Sequence, residues 1–288
     1  MEFCDSVASV RTSVAAFRAA GERVALVPTM GALHAGHMAL VAEARARAGR
    51  VVASVFVNPA QFGDPADLLA YPRTLDADRL LLEEAGVDAL FAPSASEMYG
   101  PGDETVVDTT RLARAFHGAV RPGHFRGVAT VVLKLLNVVG PDVALFGEKD
   151  FQQLAVVRRV VRDLFVPVEV VGVPTVREAD GLALSSRNAR LSPEDRAAAV
   201  VLSRALAAGH RTAAEGHDAD AVRAAILGEV GREPRARDAR VDIVDSLSFE
   251  PLRGRFARRA GIMVSARFGD VLLIDQREVE PVAEEAVP

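Results

Sequence analysis

RVALVPTMGALHAGHMALVAEARARAGRVVASVFV, residues 23–57, sets the architecture of the chain's first half. Its ends, residues 23–28 and 51–57, are short runs rich in β-branched residues, the pattern of strands buried on both faces of a parallel sheet. Between them, residues 35–49 place Met38, Leu40 and Val41 at helical spacing and stop at Gly49, so the segment reads strand, loop, helix, strand. The alternation continues outward. LLLEEAG (80–86) precedes VDALFAP (87–93), VATVVLKLLNVVG (128–140) precedes PDVALFG (141–147), and FQQLAVVRRVVRDL (151–164) precedes VPVEVVGV (166–173). This predicts an α/β fold with a doubly wound parallel sheet, in which ligands sit beyond the C-terminal ends of the strands. The polar clusters fall there: residues 28–37 after the first strand, 58–62 after the second, and 147–150 after the run ending at Phe146.

From about Pro174 the texture changes. Residues 193–231 are Ala-rich and helical with a break near Gly216, and VDIVD (241–245), GIMVSAR (261–267) and VLLID (271–275) read as three short strands. Two domains are expected, residues 1–175 and a smaller α+β domain over 176–288.

Half of the 288 residues are hydrophobic and a quarter charged, which excludes disordered and collagen-like classes. No uncharged apolar run approaches the ~20 residues of a membrane helix, and Glu2 and Asp5 do not suit a signal peptide, so a cytoplasmic location without membrane attachment is expected. Cys4 is the only cysteine, which removes an intrachain disulfide and cysteine-built zinc sites. A net charge of -5 disfavours nucleic acid as the main partner. Of the 34 basic residues, only Lys134 and Lys149 are lysine, so a lysine here marks a place where a compact ammonium is wanted.

His34-Ala35-Gly36-His37 opens a helix directly after a strand. Two imidazoles at that spacing face the same way, and the helix start adds N–H groups and partial positive charge, which suits a phosphate chain. The imidazoles would stabilise charge shifting during attack at phosphorus. A simple capping pair and a metal pair are the competing readings. Gly147-Glu148-Lys149-Asp150 places a movable point charge at a strand-to-helix turn, whereas Lys134 lies in an apolar helix and reads as a residue whose stem covers apolar surface. Ser185-Ser186-Arg187 offers two hydroxyls and a guanidinium to a triphosphate, or merely caps a turn.

VALVPTMGALHAGHMALV resembles the nucleotide-binding segment of the HIGH-type nucleotidylyltransferases, and specifically of the pantoate-β-alanine ligase family. FVNPAQF (56–62), YPRT (71–74), RPGHFRGVATVVLKL (121–135), LFGEKDFQQL (145–154) and VGVPTVREADGLALSSRN (171–188) resemble it in the same order, from about residue 22 to 192 and more loosely to 277. Two positions depart from the family pattern: Ala60 where methionine is common, and His117 where glutamate is usual. Neither removes a group the chemistry requires.

The resemblance implies a Rossmann-like domain and a C-terminal lid. It implies ATP-dependent condensation of (R)-pantoate with β-alanine through a pantoyl adenylate, Mg2+ accompanying the nucleotide, and a homodimer. The ATP site would comprise Met30, Gly31, Ala32, Leu33, His34, Ala35, Gly36, His37, Gly147, Glu148, Lys149, Asp150, Val176, Leu184, Ser185, Ser186 and Arg187. Of these, His37, His34 and Lys149 would carry catalysis, and Gln61, Gln153 and Asn58 would hold pantoate and β-alanine. A nucleotidylyltransferase that stops at nucleotide transfer is the same-chemistry rival. An aminoacyl-tRNA synthetase is weakened by the acidic balance, and a non-catalytic ATP sensor would not need the substrate-side amides.

Overall fold

A computed structural model describes residues 1–281. The chain divides into two compact units, one formed by Met1–Glu148 and Gln152–Pro174, the other by Lys149–Phe151 and the chain from Thr175 onward.

The first unit contains six strands: β1 (Glu2–Cys4), β2 (Val24–Thr29), β3 (Arg50–Val55), β4 (Ala89–Phe91), β5 (Val143–Gly147) and β6 (Glu169–Val173). All pair in parallel in the order β1-β4-β3-β2-β5-β6. Its helices are α1 (Val7–Ala19), α2 (Ala35–Arg47), α3 (Pro65–Leu69), α4 (Leu75–Glu84), α5 (Ala95–Met98), α6 (His117–Val120), α7 (His124–Val139) and α8 (Phe151–Asp163), the last beginning at the other unit's Phe151. Because successive strand side chains point to opposite faces, Val24 and Leu26 pack with Val10, Val14, Val131 and Leu135, while Ala25 and Val27 pack with Leu40, Val41 and Leu82. Helices therefore cover both faces, α1 and α7 on one and α2 and α4 on the other. Central strands that read as unbroken apolar runs are the result.

The strand order reverses direction at β2. That strand stays paired with β3 as far as Thr29 but with β5 only at Ala25 and Leu26, so the two neighbours part at the C-terminal end. A crevice at such a switch point is where ligands enter open parallel sheets. The three-residue β1, which carries too little pattern to stand out in the sequence, closes one edge.

The second unit packs α9 (Pro193–Ala198), α10 (Val201–Ala214) and α11 (Ala219–Val230) against an antiparallel sheet, β7 (Arg237–Asp245), β8 (Ala260–Phe268) and β9 (Val271–Val279). Leu202, Leu206, Ile226, Ile262, Val264 and Phe268 form its core. Gly209 lets α10 and α11 meet closely, since a Cβ there would stand 2.5 Å from the Ile226 side chain. Among the described residues, no helix is long and apolar enough to cross a membrane.

Candidate active site

The loop between β2 and α2 is locked from within the first unit. Gly31 and Ala32 both take positive φ, 82° and 51°, a conformation natural to glycine and strained for alanine. Two side chains hold it. The Thr29 hydroxyl donates to the Ser54 carbonyl (2.7 Å) and accepts from the Gly31 N–H (3.2 Å). The carboxylate of Asp78, 2% exposed in the first turn of α4, accepts from the N–H groups of Ala32 (3.0 Å) and Leu33 (2.8 Å) and from the Thr74 hydroxyl (3.1 Å).

His34 and His37 form a reciprocal capping box. His34 Nδ1 accepts from the Gly36 N–H (3.1 Å), His37 Nδ1 accepts from the His34 N–H (3.2 Å), and the ring centroids lie 4.1 Å apart. An imidazole nitrogen that accepts carries no proton, so this geometry puts the proton of each neutral ring on Nε2. The capping and phosphate readings of the sequence are thus compatible: capping uses Nδ1 and sets Nε2 as a donor. Within the loop, the N–H groups of Gly36 and His37 are taken by His34 Nδ1 and the His34 carbonyl.

After β3, a short 3-10 turn (Pro59–Gln61) carries the amides. Asn58 is 1% exposed and Gln61 7%, and the Asn58 side chain donates to Gln61 Oε1 (3.1 Å) and to the Gly127 carbonyl (3.2 Å). Gln61 Nε2 lies 2.9 Å from Met30 Sδ, joining this turn to the histidine loop. Gly127 is required, because a Cβ there would stand 2.3 Å from the Ala60 carbonyl oxygen. His124, which had no role in the sequence, places its Nδ1 2.8 Å from the Gln61 carbonyl.

Of the two glutamines in α8, Gln153 is partly buried, whereas Gln152 is 3% exposed and structural. Gln152 donates to the carbonyls of Leu112 and Ala115 (2.8 Å each) and accepts from the His117 N–H (3.0 Å), tying down the segment ahead of α6. Lys134 does not merely cover apolar surface. Its ammonium donates to the Met98 carbonyl (2.6 Å), pairs with Asp103 and lies 4.5 Å from the Tyr99 ring centroid. Tyr99 in turn donates to Asn58 Oδ1 (2.8 Å), and burial pushes its phenol up to about 12.

In the second unit, Lys149 and Ser185 line one small pocket with Asn188 and Asp275. The Lys149 ammonium lies 3.8 Å from the Asp150 carboxylate. Val176 and Leu184 face each other across a short antiparallel bridge closed at Gly181, with Leu184 N–H donating to the Val176 carbonyl (3.0 Å). Ser185 caps the following turn by accepting from the Arg187 N–H (3.2 Å), and Ser186 and Arg187 lie in that turn. Arg177 fixes the bridge to β9 through a two-pronged pair with Asp275 (2.6 and 2.9 Å), whose side chain is 2% exposed.

The sequence did not single out Asp78, Gln152, Arg177 or Asp275, and it marked Tyr99 only as one of two tyrosines lying near the motifs. Of the four, only Asp78 left a signal, an acidic residue in the first turn of a helix, and that alone gives no hint of burial.

The family model for pantoate-beta-alanine ligase matches residues 2–278. A pantothenate synthetase of Agrobacterium fabrum is 51% identical over 280 residues, covering 97% of this chain and 96% of the relative. The crystal structure of a pantothenate synthetase from Thermus thermophilus superposes with a TM-score of 0.92 at 50% identity, covering 98% of this chain and 100% of that one. A pantoate-beta-alanine ligase from Francisella tularensis, crystallised in complex with beta-gamma ATP and beta-alanine, aligns with a TM-score of 0.78 at 31% identity, over 96% of this chain and 97% of that one. The chain belongs to the pantoate-beta-alanine ligase family.

Proposed function

We propose that the chain condenses (R)-pantoate with β-alanine at the expense of ATP. A pantoate carboxylate oxygen attacks the α-phosphorus, the bond to the β-phosphate oxygen breaks, and pyrophosphate leaves. The β-alanine amine then attacks the acyl carbon of pantoyl adenylate, loses a proton and expels AMP, giving pantothenate. Both steps depend on positioning and charge stabilisation more than on an enzyme nucleophile.

The observation that carries this reading is the reciprocal lock of His34 and His37, which presents each ring as an Nε2 donor. Such donors meet phosphate oxygens as charge builds on them, with no reorganisation at the moment of reaction. Residues 30–37 with Gly147 and Glu148, and Lys149, Asp150, Val176 and Leu184–Arg187 of the second unit, are the ATP-binding set in this reading. Asn58, Gln61 and Gln153 address the acid and amine substrates. Mg2+ arrives with the nucleotide. In this reading the ion is held largely by phosphate oxygens and water, and no step is assigned to it. The enzyme works in the cytoplasm and the active species is a homodimer in this reading, which sedimentation would test.

Pyrophosphate and AMP release, followed with ATP and Mg2+ and with pantoate and β-alanine supplied singly and together, tests the reaction. At most a stoichiometric burst of pyrophosphate with pantoate alone, and turnover only with both, is expected. Steady release indifferent to β-alanine would favour simple nucleotide transfer. Gln153→Ala should raise the KM for pantoate and leave ATP binding nearly intact.

A further inference from the structure

We infer that Tyr99 and Lys134 are positioning residues that fix which end of the Gln61 amide faces the acid substrate, an inference that rests on the ligase reading above. The chain of contacts lies wholly within the first unit. It begins with Asn58, whose amide ends are told apart by two backbone groups. The Ala60 N–H donates 3.2 Å to one end, which must be Oδ1, and the Gly127 carbonyl accepts at 3.2 Å from the other, which must be Nδ2. The second proton of Nδ2 goes to Gln61 at 3.1 Å, so the atom of Gln61 that meets it must be Oε1.

Turning the Gln61 amide over would set two NH2 groups against each other at buried positions, leaving a donor unpaired. The Gln61 NH2 group is therefore committed to the other side, where its neighbour is Met30 Sδ at 2.9 Å. A thioether is a weak acceptor and yields readily to an oxygen anion. Gln61 thus offers a donor, suited to a carboxylate or hydroxyl oxygen of a small hydroxy acid.

Tyr99 completes the set. Its hydroxyl gives Asn58 Oδ1 a second donor at 2.8 Å, and the Lys134 ammonium holds the ring from its face at 4.5 Å while bound to the Met98 carbonyl. A compact ammonium can serve a carbonyl, a carboxylate and a ring face at once, which explains a lysine at this position in an arginine-dominated chain.

Tyr99→Phe keeps the ring and deletes the donor. The KM for pantoate should rise roughly five- to tenfold, the effect of one buried hydrogen bond, with kcat and the KM for ATP within about twofold. In a Gln61→Ala background the same change should have no further effect on pantoate, because it acts through Gln61. Lys134→Met should move the pantoate KM in the same direction by less. In the ligand-free protein, the Gln61 side-chain NH2 resonances, assigned by their loss in Gln61→Ala, should shift in Tyr99→Phe.

Equal rises in both KM values, or an undiminished effect of Tyr99→Phe in the Gln61→Ala background, would overturn the inference. Wild-type turnover that ignores pantoate would instead overturn the ligase reading. The positioning claim is then decided by the amide resonances alone, which support it if they shift and overturn it if they do not.

Discussion

The turn at residues 29–37 in the first unit and the bridge at 176–188 in the second both carry groups assigned to the nucleotide, but they are held in different ways. The turn is held by a distributed set of hydrogen bonds: Thr29 takes one backbone N–H, Asp78 two, and each histidine one. The bridge has backbone hydrogen bonds of its own but is anchored to the rest of its unit by ion pairs, Arg196 with Asp180 and Arg177 with Asp275, the latter made between residues 98 apart in sequence. Distributed hydrogen bonds give a rigid local geometry whose members fail one at a time. A pair whose carboxylate is buried concentrates the risk, because losing Arg177 leaves the Asp275 charge desolvated.

The contrast can be broken most severely at Arg177. Arg177→Ala leaves the Asp275 carboxylate, 2% exposed, without its partner and should cost about 3 kcal/mol of stability, read as a lower urea midpoint. Asp78→Ala should cost less, about 2 kcal/mol, because it strands backbone N–H groups rather than a charge. Its signature should instead be functional. The KM for ATP should rise by roughly tenfold while the pantoate KM holds, since the loop that loses its support is the one preceding the histidines. Equal loss of stability in the two variants would erase the distinction.

A smaller effect separates the units by pH. In the second unit Asp245 accepts from the backbone N–H groups of Ser248 (2.7 Å) and Leu247 (3.0 Å), and these bonds hold its carboxyl below the usual range. A folded value below the unfolded one means that the contribution is complete above the unfolded pKa of about 3.9 and is lost as pH falls through the folded value. Asp245→Asn should therefore weaken the Tm at neutral pH slightly and flatten its decline below about pH 4.

The parallel sheet was legible because strands covered on both faces must be apolar along most of their length, as β2, β3 and β5 are. The histidine loop was legible for a related reason, since polar residues gathered between a strand and a helix have few structural uses. The capping box at His34 and His37 was written in the spacing too, but the sequence left open whether the rings cap or bind, and only the Nδ1 contacts show that capping leaves Nε2 set as a donor. Long-range pairings were not legible. Arg177 sits in a chain with 34 basic residues, and nothing local marks Asp275 as its partner. The two glutamines of α8 are adjacent and chemically identical, and only the approach of Leu112, Ala115 and His117 makes Gln152 a brace.

The most direct test of the account is the tautomer of the two histidines, read from 15N–1H couplings of imidazole-labelled protein at pH 8, where an ordinary imidazole is neutral. His34 and His37, assigned by single replacements, should both carry the proton on Nε2, with Nδ1 unprotonated, before ATP is added. A proton on Nδ1 of either ring would contradict the reciprocal lock, and with it the claim that this turn is set for phosphate before the nucleotide binds.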